Sequence, residues 1–277
     1  MTLLLLLALL GTGLAVGFIS GLVGIGGGVL IVPFLYFFYA HPEFSRTNLP
    51  ADMHTVAANA TSLFIIVPTA ALGTWNYVRR GLVEWRAVVP IAAISLFGAI
   101  GGVRLALILP GPLLRVLFGL FLIATSLQLY MQPNVFQERP LRLEPWIVAV
   151  TGLTVGVLSG LLGIGGGAIA APLLLRLVHL DLRKVAATSL AIVGIAAAAG
   201  MVSYIASGWA SAAMPPGSIG YVNVMAGLPI LVGSLAAVRV GTRVNARLPA
   251  RTLKGVFTAF FMLMGVYLIT QSLPAVL

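Results

Sequence analysis

Two stretches of this chain are copies of one another, and that duplication limits the fold more than any other feature. Ser20-Gly21-Leu22-Val23-Gly24-Ile25-Gly26-Gly27-Gly28, with Pro33 five residues on, recurs as Ser159-Gly160-Leu161-Leu162-Gly163-Ile164-Gly165-Gly166-Gly167, with Pro172 five residues on. The offset is 139, and it extends back to Gly13/Gly152 and Gly17/Gly156. A second block repeats at offset 127: Thr61-Ser62-Leu63 with Thr188-Ser189-Leu190, then Gly73/Gly200, Tyr77/Tyr204 and Gly81/Gly208. Near the end of each half Gly98/Gly233, Val103-Arg104/Val238-Arg239, Leu109-Pro110/Leu248-Pro249 and Phe118/Phe257 follow in the same order. Composition bias does not keep order and spacing across three blocks, so the unit is duplicated. The copies run 1–138 and 139–277 and together make one integral membrane domain.

That the domain is a membrane one follows from its charge. Lys and Arg number 16 and Asp and Glu 6, or 8% of the 277 residues. An ordinary soluble domain carries about 25%. So few charges cannot cover a water-facing surface, which excludes a cytosolic globular enzyme. A disordered chain is excluded too, because it would be poor in bulky apolar residues. The apolar runs are continuous rather than alternating, so the spans are helices and not barrel strands. The net charge of +10 does not point to nucleic acid. The basic residues sit at the ends of apolar runs, where they orient membrane spans. With no cysteine, disulfides, thiolate metal sites and cysteine nucleophiles are excluded. His41, His54 and His179 show no metal-ligand spacing. Leu3 to Leu7 lack a preceding basic region and run on apolar past signal length, so they read as a first span.

Each half holds five apolar segments, at 3–23, 28–40, 53–78, 86–109 and 113–131, then at 145–162, 167–178, 184–207, 220–238 and 253–273. The second segment of each half is too short for a hydrocarbon core of roughly 30 Å and follows a glycine run, which predicts a broken or re-entrant helix. Charge sets the orientation. Arg79, Arg80 and Arg86 follow the third segment of the first half, whereas 209–220 carries no charge. After the fourth segment the pattern reverses, with Arg239, Arg243, Arg247, Arg251 and Lys254 in the second half only. Placing these clusters inside, with Arg139, Arg142, Arg176, Arg183 and Lys184, puts both termini outside. Five segments per unit then give the halves opposite orientation. The expected fold is an all-α integral membrane protein of two inverted-topology repeats, a plan common among secondary transporters.

Candidate site residues follow from this frame. Gly26, Gly27 and Gly28, and Gly165, Gly166 and Gly167, let the backbone turn tightly and leave the N–H groups of a following helix start open to an anion. For Gly13, Gly17, Gly21 and Gly24 the small-residue spacing favours helix packing instead. Thr61, Ser62, Thr188 and Ser189 are hydroxyls inside apolar spans, able to bond a substrate oxygen or their own helix carbonyls. Asn59 has no polar counterpart, Ala186 standing there, and would add an asymmetric contact. Tyr77 and Tyr204, near segment ends, read as interfacial anchors, and Arg104 and Arg239 as snorkelling side chains. Glu43, Asp52, Glu84, Glu138, Glu144 and Asp181 all fall in or beside loops. A carboxylate-centred cation site is therefore disfavoured, and N–H and hydroxyl donors suit an anionic substrate.

The paired glycine motifs ending at Pro33 and Pro172, the Ala-Thr-Ser-Leu blocks and Arg80-Gly81-Leu82-Val83-Glu84-Trp85-Arg86 resemble the TauE/SafE sulfite-exporter family over essentially the whole chain. The resemblance implies an inner-membrane permease for a small anion, with sulfite, sulfonates such as sulfoacetate and carboxylates as candidates. It carries the substrate role to the glycine and Thr-Ser positions named above, and implies no cofactor. An anion channel, or an intramembrane enzyme or assembly factor, is the competing class. A protease would need a Ser-His, Asp-Asp or His/Glu set within its spans, and none is visible. Direction of transport, the coupling ion (proton or sodium) and homo-oligomerisation stay open from sequence.

Overall fold

A computed structural model describes residues 3–23, 27–41, 49–50, 52–131, 140–209, 211, 214–245 and 250–273. Gly24, Gly26, Arg139 and Arg247 lie outside them, as do the side chains of Arg251, Lys254 and Phe257. Ten helices are described: α1 (Leu3–Val23), α2 (Gly28–Ala40), α3 (Met53–Val78), α4 (Trp85–Ile108), α5 (Gly111–Met131), α6 (Pro145–Leu162), α7 (Gly167–Arg176), α8 (Leu182–Gly208), α9 (Val224–Asn245) and α10 (Ala250–Ser272). Seven helices among the described residues are long and apolar enough to cross a membrane. The chain is a multi-pass, helical membrane protein.

The second helices are short. With 13 residues in α2 and 10 in α7, they reach about 20 Å and 15 Å, less than a bilayer core. The largest shifts from the expected boundaries fall on one segment, both its start and its end. A two-residue hairpin, β1 (Ser218–Ile219) with β2 (Val222–Asn223), occupies the start of the expected 220–238 segment. The helix after it runs on to Asn245, so Arg239 and Arg243 are helical. Gly220, at φ 57°, makes the hairpin turn while lying against the Ile205 backbone, where a Cβ would be 2.6 Å from the Ile205 Cα. Only glycine meets both demands.

Helices of one half pack on helices of the other. The α1 glycines Gly13, Gly17 and Gly21 lie against the backbone of Ile230, Ser234 and Val238 of α9, and a Cβ on any of them would overlap a carbonyl oxygen. The counterpart helices do the same: Gly152, Gly156 and Gly160 of α6 lie against Ile91, Ser95 and Ala99 of α4. Small residues let backbones meet where lipid supplies no hydrophobic drive between helices. Within these pairs the helices are parallel, because contact positions rise together.

At the centre, α3 crosses α8. Gly73 meets Leu190 and its counterpart Gly200 meets Leu63, so these two equivalent helices run antiparallel. So do α5 and α10, where Gly119 meets Gly265 and the Ser126 hydroxyl donates to the Thr258 carbonyl at 2.8 Å. The larger of two apolar clusters spans both halves and includes Leu63, Ile66, Leu190 and Val193 at the α3/α8 crossing.

Candidate functional site

The glycine runs end α6 and start α2 and α7. Gly27 (φ 75°) and Gly166 (φ 74°) both hold the left-handed conformation immediately before a helix, which costs a residue with a Cβ about 1–2 kcal/mol. Gly163 (φ 67°) and Gly165 (φ 71°) turn the chain between α6 and α7 in the same way. The Gly166 carbonyl accepts from Ile169 and Ala170, and the Gly27 carbonyl from Leu30 and Ile31. The N–H groups of Gly28, Val29, Gly167 and Ala168 have no partner among the described residues, and all four residues are buried. Those free N–H groups carry the positive end of each helix dipole.

The two breaks abut. A Cβ on Gly28 would lie 2.5 Å from the Ile164 Cα, so the start of α2 rests on the backbone of the α6–α7 turn. Gly163 rests equally closely on Asn59 of α3. Gly165 sits between Ile66 and Val193, counterparts on the crossing helices α3 and α8.

Helix ends buried inside the protein leave carbonyls that must be paired away from water. Tyr77 and Tyr204 pair them. Tyr77 donates to the Gly21 carbonyl at 2.8 Å and Tyr204 to the Gly160 carbonyl at 2.9 Å. At 1% and 0% exposure these are buried clamps and not the interfacial anchors their position suggests. Sequence shows where in a helix a tyrosine lies, not what packs over it.

The remaining candidates divide by the bonds they make. Asn59 donates Nδ2 to the Leu161 carbonyl at 3.0 Å and accepts from Tyr36 at 2.9 Å, which ties α3 to α6 and α2. Thr61 accepts from the backbone N–H of Asn223 at 3.0 Å, and Thr188 from that of Glu84 at 3.1 Å. Each acceptor serves the residue immediately before the fourth helix of the other half, so the duplicated threonines fasten the halves together. Lys184, one turn before Thr188, also pairs with the Glu84 carboxylate at 2.8 Å. Ser189 donates to the Ala186 carbonyl at 3.3 Å.

Ser62 is different: its hydroxyl is buried without a partner among the described residues, and so are those of Ser20 and Ser159. Ser20 and Ser159 open the two copies of the glycine motif, and the Ser20 Cβ lies 3.4 Å from where a Gly27 Cβ would stand. In the sequence both serines stand only as the first residues of the repeated motif, and nothing local shows that their hydroxyls are unpaired. Their recurrence in both copies was the available signal, because a buried unpaired hydroxyl is disfavoured unless something uses it. Neutral donors around two helix starts suit a small anion.

A family model described as sulfite exporter TauE/SafE matches residues 9–268. A probable membrane transporter protein of Methanocaldococcus jannaschii is 27% identical over 270 residues, covering 96% of each chain. Another from Haemophilus influenzae is 28% identical over 92% of this chain and 94% of its own. The probable membrane transporter YunE of Bacillus subtilis is 26% identical over 94% and 96%. No solved structure matches. A family model spanning nearly the whole chain, on a helical membrane fold with interrupted helices at its centre, makes this protein a membrane transporter, not an enzyme, that belongs to the TauE/SafE sulfite exporter family.

Proposed function

We propose that the transporter moves a small anion, a sulfur-containing oxyanion or an organosulfonate or carboxylate such as sulfite or sulfoacetate, across the inner membrane by alternating access. The observation that carries this reading is the set of unpaired donors on the elements that meet at the abutting breaks. The Ser20, Ser62 and Ser159 hydroxyls and the N–H groups that open α2 and α7 are all buried and unpartnered among the described residues. Helix starts of broken spans are where inverted-repeat transporters bind anionic groups. The antiparallel crossings of α3 with α8 and α5 with α10 support opposite insertion of the halves 1–138 and 139–277, and the basic loops support outer termini. Gly27, Gly28, Gly166 and Gly167 shape the site, and Ser62 lines it. Asn59, Thr61, Thr188 and Ser189 hold its walls.

The test is flux of labelled sulfite and sulfoacetate into proteoliposomes. Saturable uptake that falls in Ser20→Ala and Ser159→Ala supports the reading. Flux proportional to concentration without saturation would favour a channel. No movement or binding of any small anion would sink both.

A further inference from the structure

Away from the glycine breaks, four arginines meet at one small cavity. Arg79 and Arg80 at the end of α3 and Arg239 and Arg243 near the end of α9 line about 150 Å³, together with Asn76 and Thr242. That is about ten times the roughly 15 Å³ needed to hold one water, room for a tetrahedral oxyanion. None of the four meets a carboxylate: the ion pairs among the described residues are Arg142–Glu144 and Lys184–Glu84. All four are exposed, and like charges gathered without a counter-ion repel one another, so the cavity is a place of positive potential that attracts an anion.

The surroundings also prepare the cavity for a ligand. Arg80 donates to the Thr242 carbonyl at 2.9 Å, which aims its guanidinium while leaving other N–H groups open. Arg79 is held over the Trp75 ring at 5.6 Å. Asn76 lines the same cavity, and its Nδ2 is buried with no partner among the described residues. Guanidinium forks bond phosphate oxygens in pairs, and an amide adds a further donor.

The duplication supplies a control. Arg104 is the counterpart of Arg239, but Ala206 and Ser207 stand where the first half has Arg79 and Arg80, and Leu107 and Ile108 where the second has Thr242 and Arg243. The equivalent place at the ends of α8 and α4 therefore keeps a lone arginine, while the ends of α3 and α9, one from each half, bring four together. Asn76 lies ten residues along α3 beyond Ile66, about 15 Å from the breaks. The cradle is thus a second site, independent of the transport reading.

We infer that the Arg79/Arg80/Arg239/Arg243 cradle binds a phosphoryl oxyanion, as free phosphate or as the head group of an anionic phospholipid. The experiment uses the full-length transporter in neutral detergent. Inorganic phosphate is titrated calorimetrically in one arm. In the other, retention of phosphatidylglycerol is compared with that of phosphatidylcholine by native mass spectrometry. Saturable binding of either probe is expected, weakened about tenfold or more in Arg239→Gln/Arg243→Gln and unchanged in Arg104→Gln. Arg79→Gln, on the other helix, gives the same loss if the double variant does not fold. Phosphate binding alone identifies a free anion, and displacement of phosphate by phosphatidylglycerol identifies a lipid. Absence of saturable binding in both arms overturns the inference. So does binding that survives loss of the cradle arginines, or that falls equally in Arg104→Gln.

Discussion

The Asn59 side-chain amide donates to the Leu161 carbonyl at 3.0 Å, joining residues 102 positions apart. Leu161 lies in the last turn of α6, where helix geometry leaves carbonyls unpaired. The same asparagine accepts from Tyr36, so three helices meet on one buried amide. Asn59→Leu should orphan both partners, at about 1–3 kcal/mol each, and lower the unfolding midpoint in detergent. An unchanged midpoint would remove Asn59 from the framework and return it to the candidate ligands.

Tyr77 and Tyr204 should behave as twins. Each phenol satisfies one buried carbonyl, Gly21 or Gly160. Replacing either with Phe should cost about 1–3 kcal/mol, the penalty for an orphaned acceptor. Because the two share no partner, the double variant should lose the sum. Denaturation of the four proteins of the cycle tests this, and a strong departure from additivity would show that the clamps are coupled.

Glycine substitutions should sort by what a Cβ meets. Gly17→Ala and Gly156→Ala push into the backbones of Ser234 and Ser95, so the α1/α9 and α4/α6 pairs should separate and the folded yield should fall. Gly11→Ala and Gly101→Ala meet nothing within 4 Å and should hold or gain up to about 1 kcal/mol from helix propensity. Equal behaviour of the two classes in size-exclusion and thermal assays would contradict the close packing.

Thr188 and Lys184 grip the same residue with different strength. Thr188→Val removes the buried acceptor for the Glu84 N–H and should cost about 1–3 kcal/mol, with Thr188→Ser restoring most of it. Lys184→Ala breaks an ion pair whose members are 37% and 20% exposed, and should cost no more than about 1 kcal/mol, less in high salt. Unfolding at two ionic strengths separates the two contributions.

Ser159→Ala should uncouple function from stability. Its hydroxyl has no partner among the described residues, so its loss breaks no hydrogen bond and the midpoint should stay or rise slightly. Transport should drop about tenfold, the value of one hydrogen bond to a charged ligand. A stable variant with full transport would take Ser159 out of the site.

Much of this was legible before any folding. The helix at 53–78 was expected with the bounds it has, because long apolar runs in a chain with few charges have one outcome in lipid. The small-residue spacing of Gly13, Gly17 and Gly21 likewise announced a close helix partner. It did not say which one, and α9 of the other half was unforeseen. The expected 220–238 segment started early and stopped short because hydropathy sees Ser218 to Asn223 as apolar chain, while a glycine at positive φ folds it into a hairpin. It also sees Arg239 as an end, although a helix continues through an arginine whose head leaves the apolar layer.

What the sequence determined by itself was the membrane class, the duplication and the places where helices must break, since apolar length, offset and glycine are local properties of the chain. Only the tertiary structure decided which polar groups are left over. Thr61 and Thr188 are occupied by the opposite half, Asn59 by α6, whereas Ser20, Ser62 and Ser159 remain unpaired among the described residues. A hydroxyl's availability depends on partners more than a hundred residues away, and no window of sequence contains them.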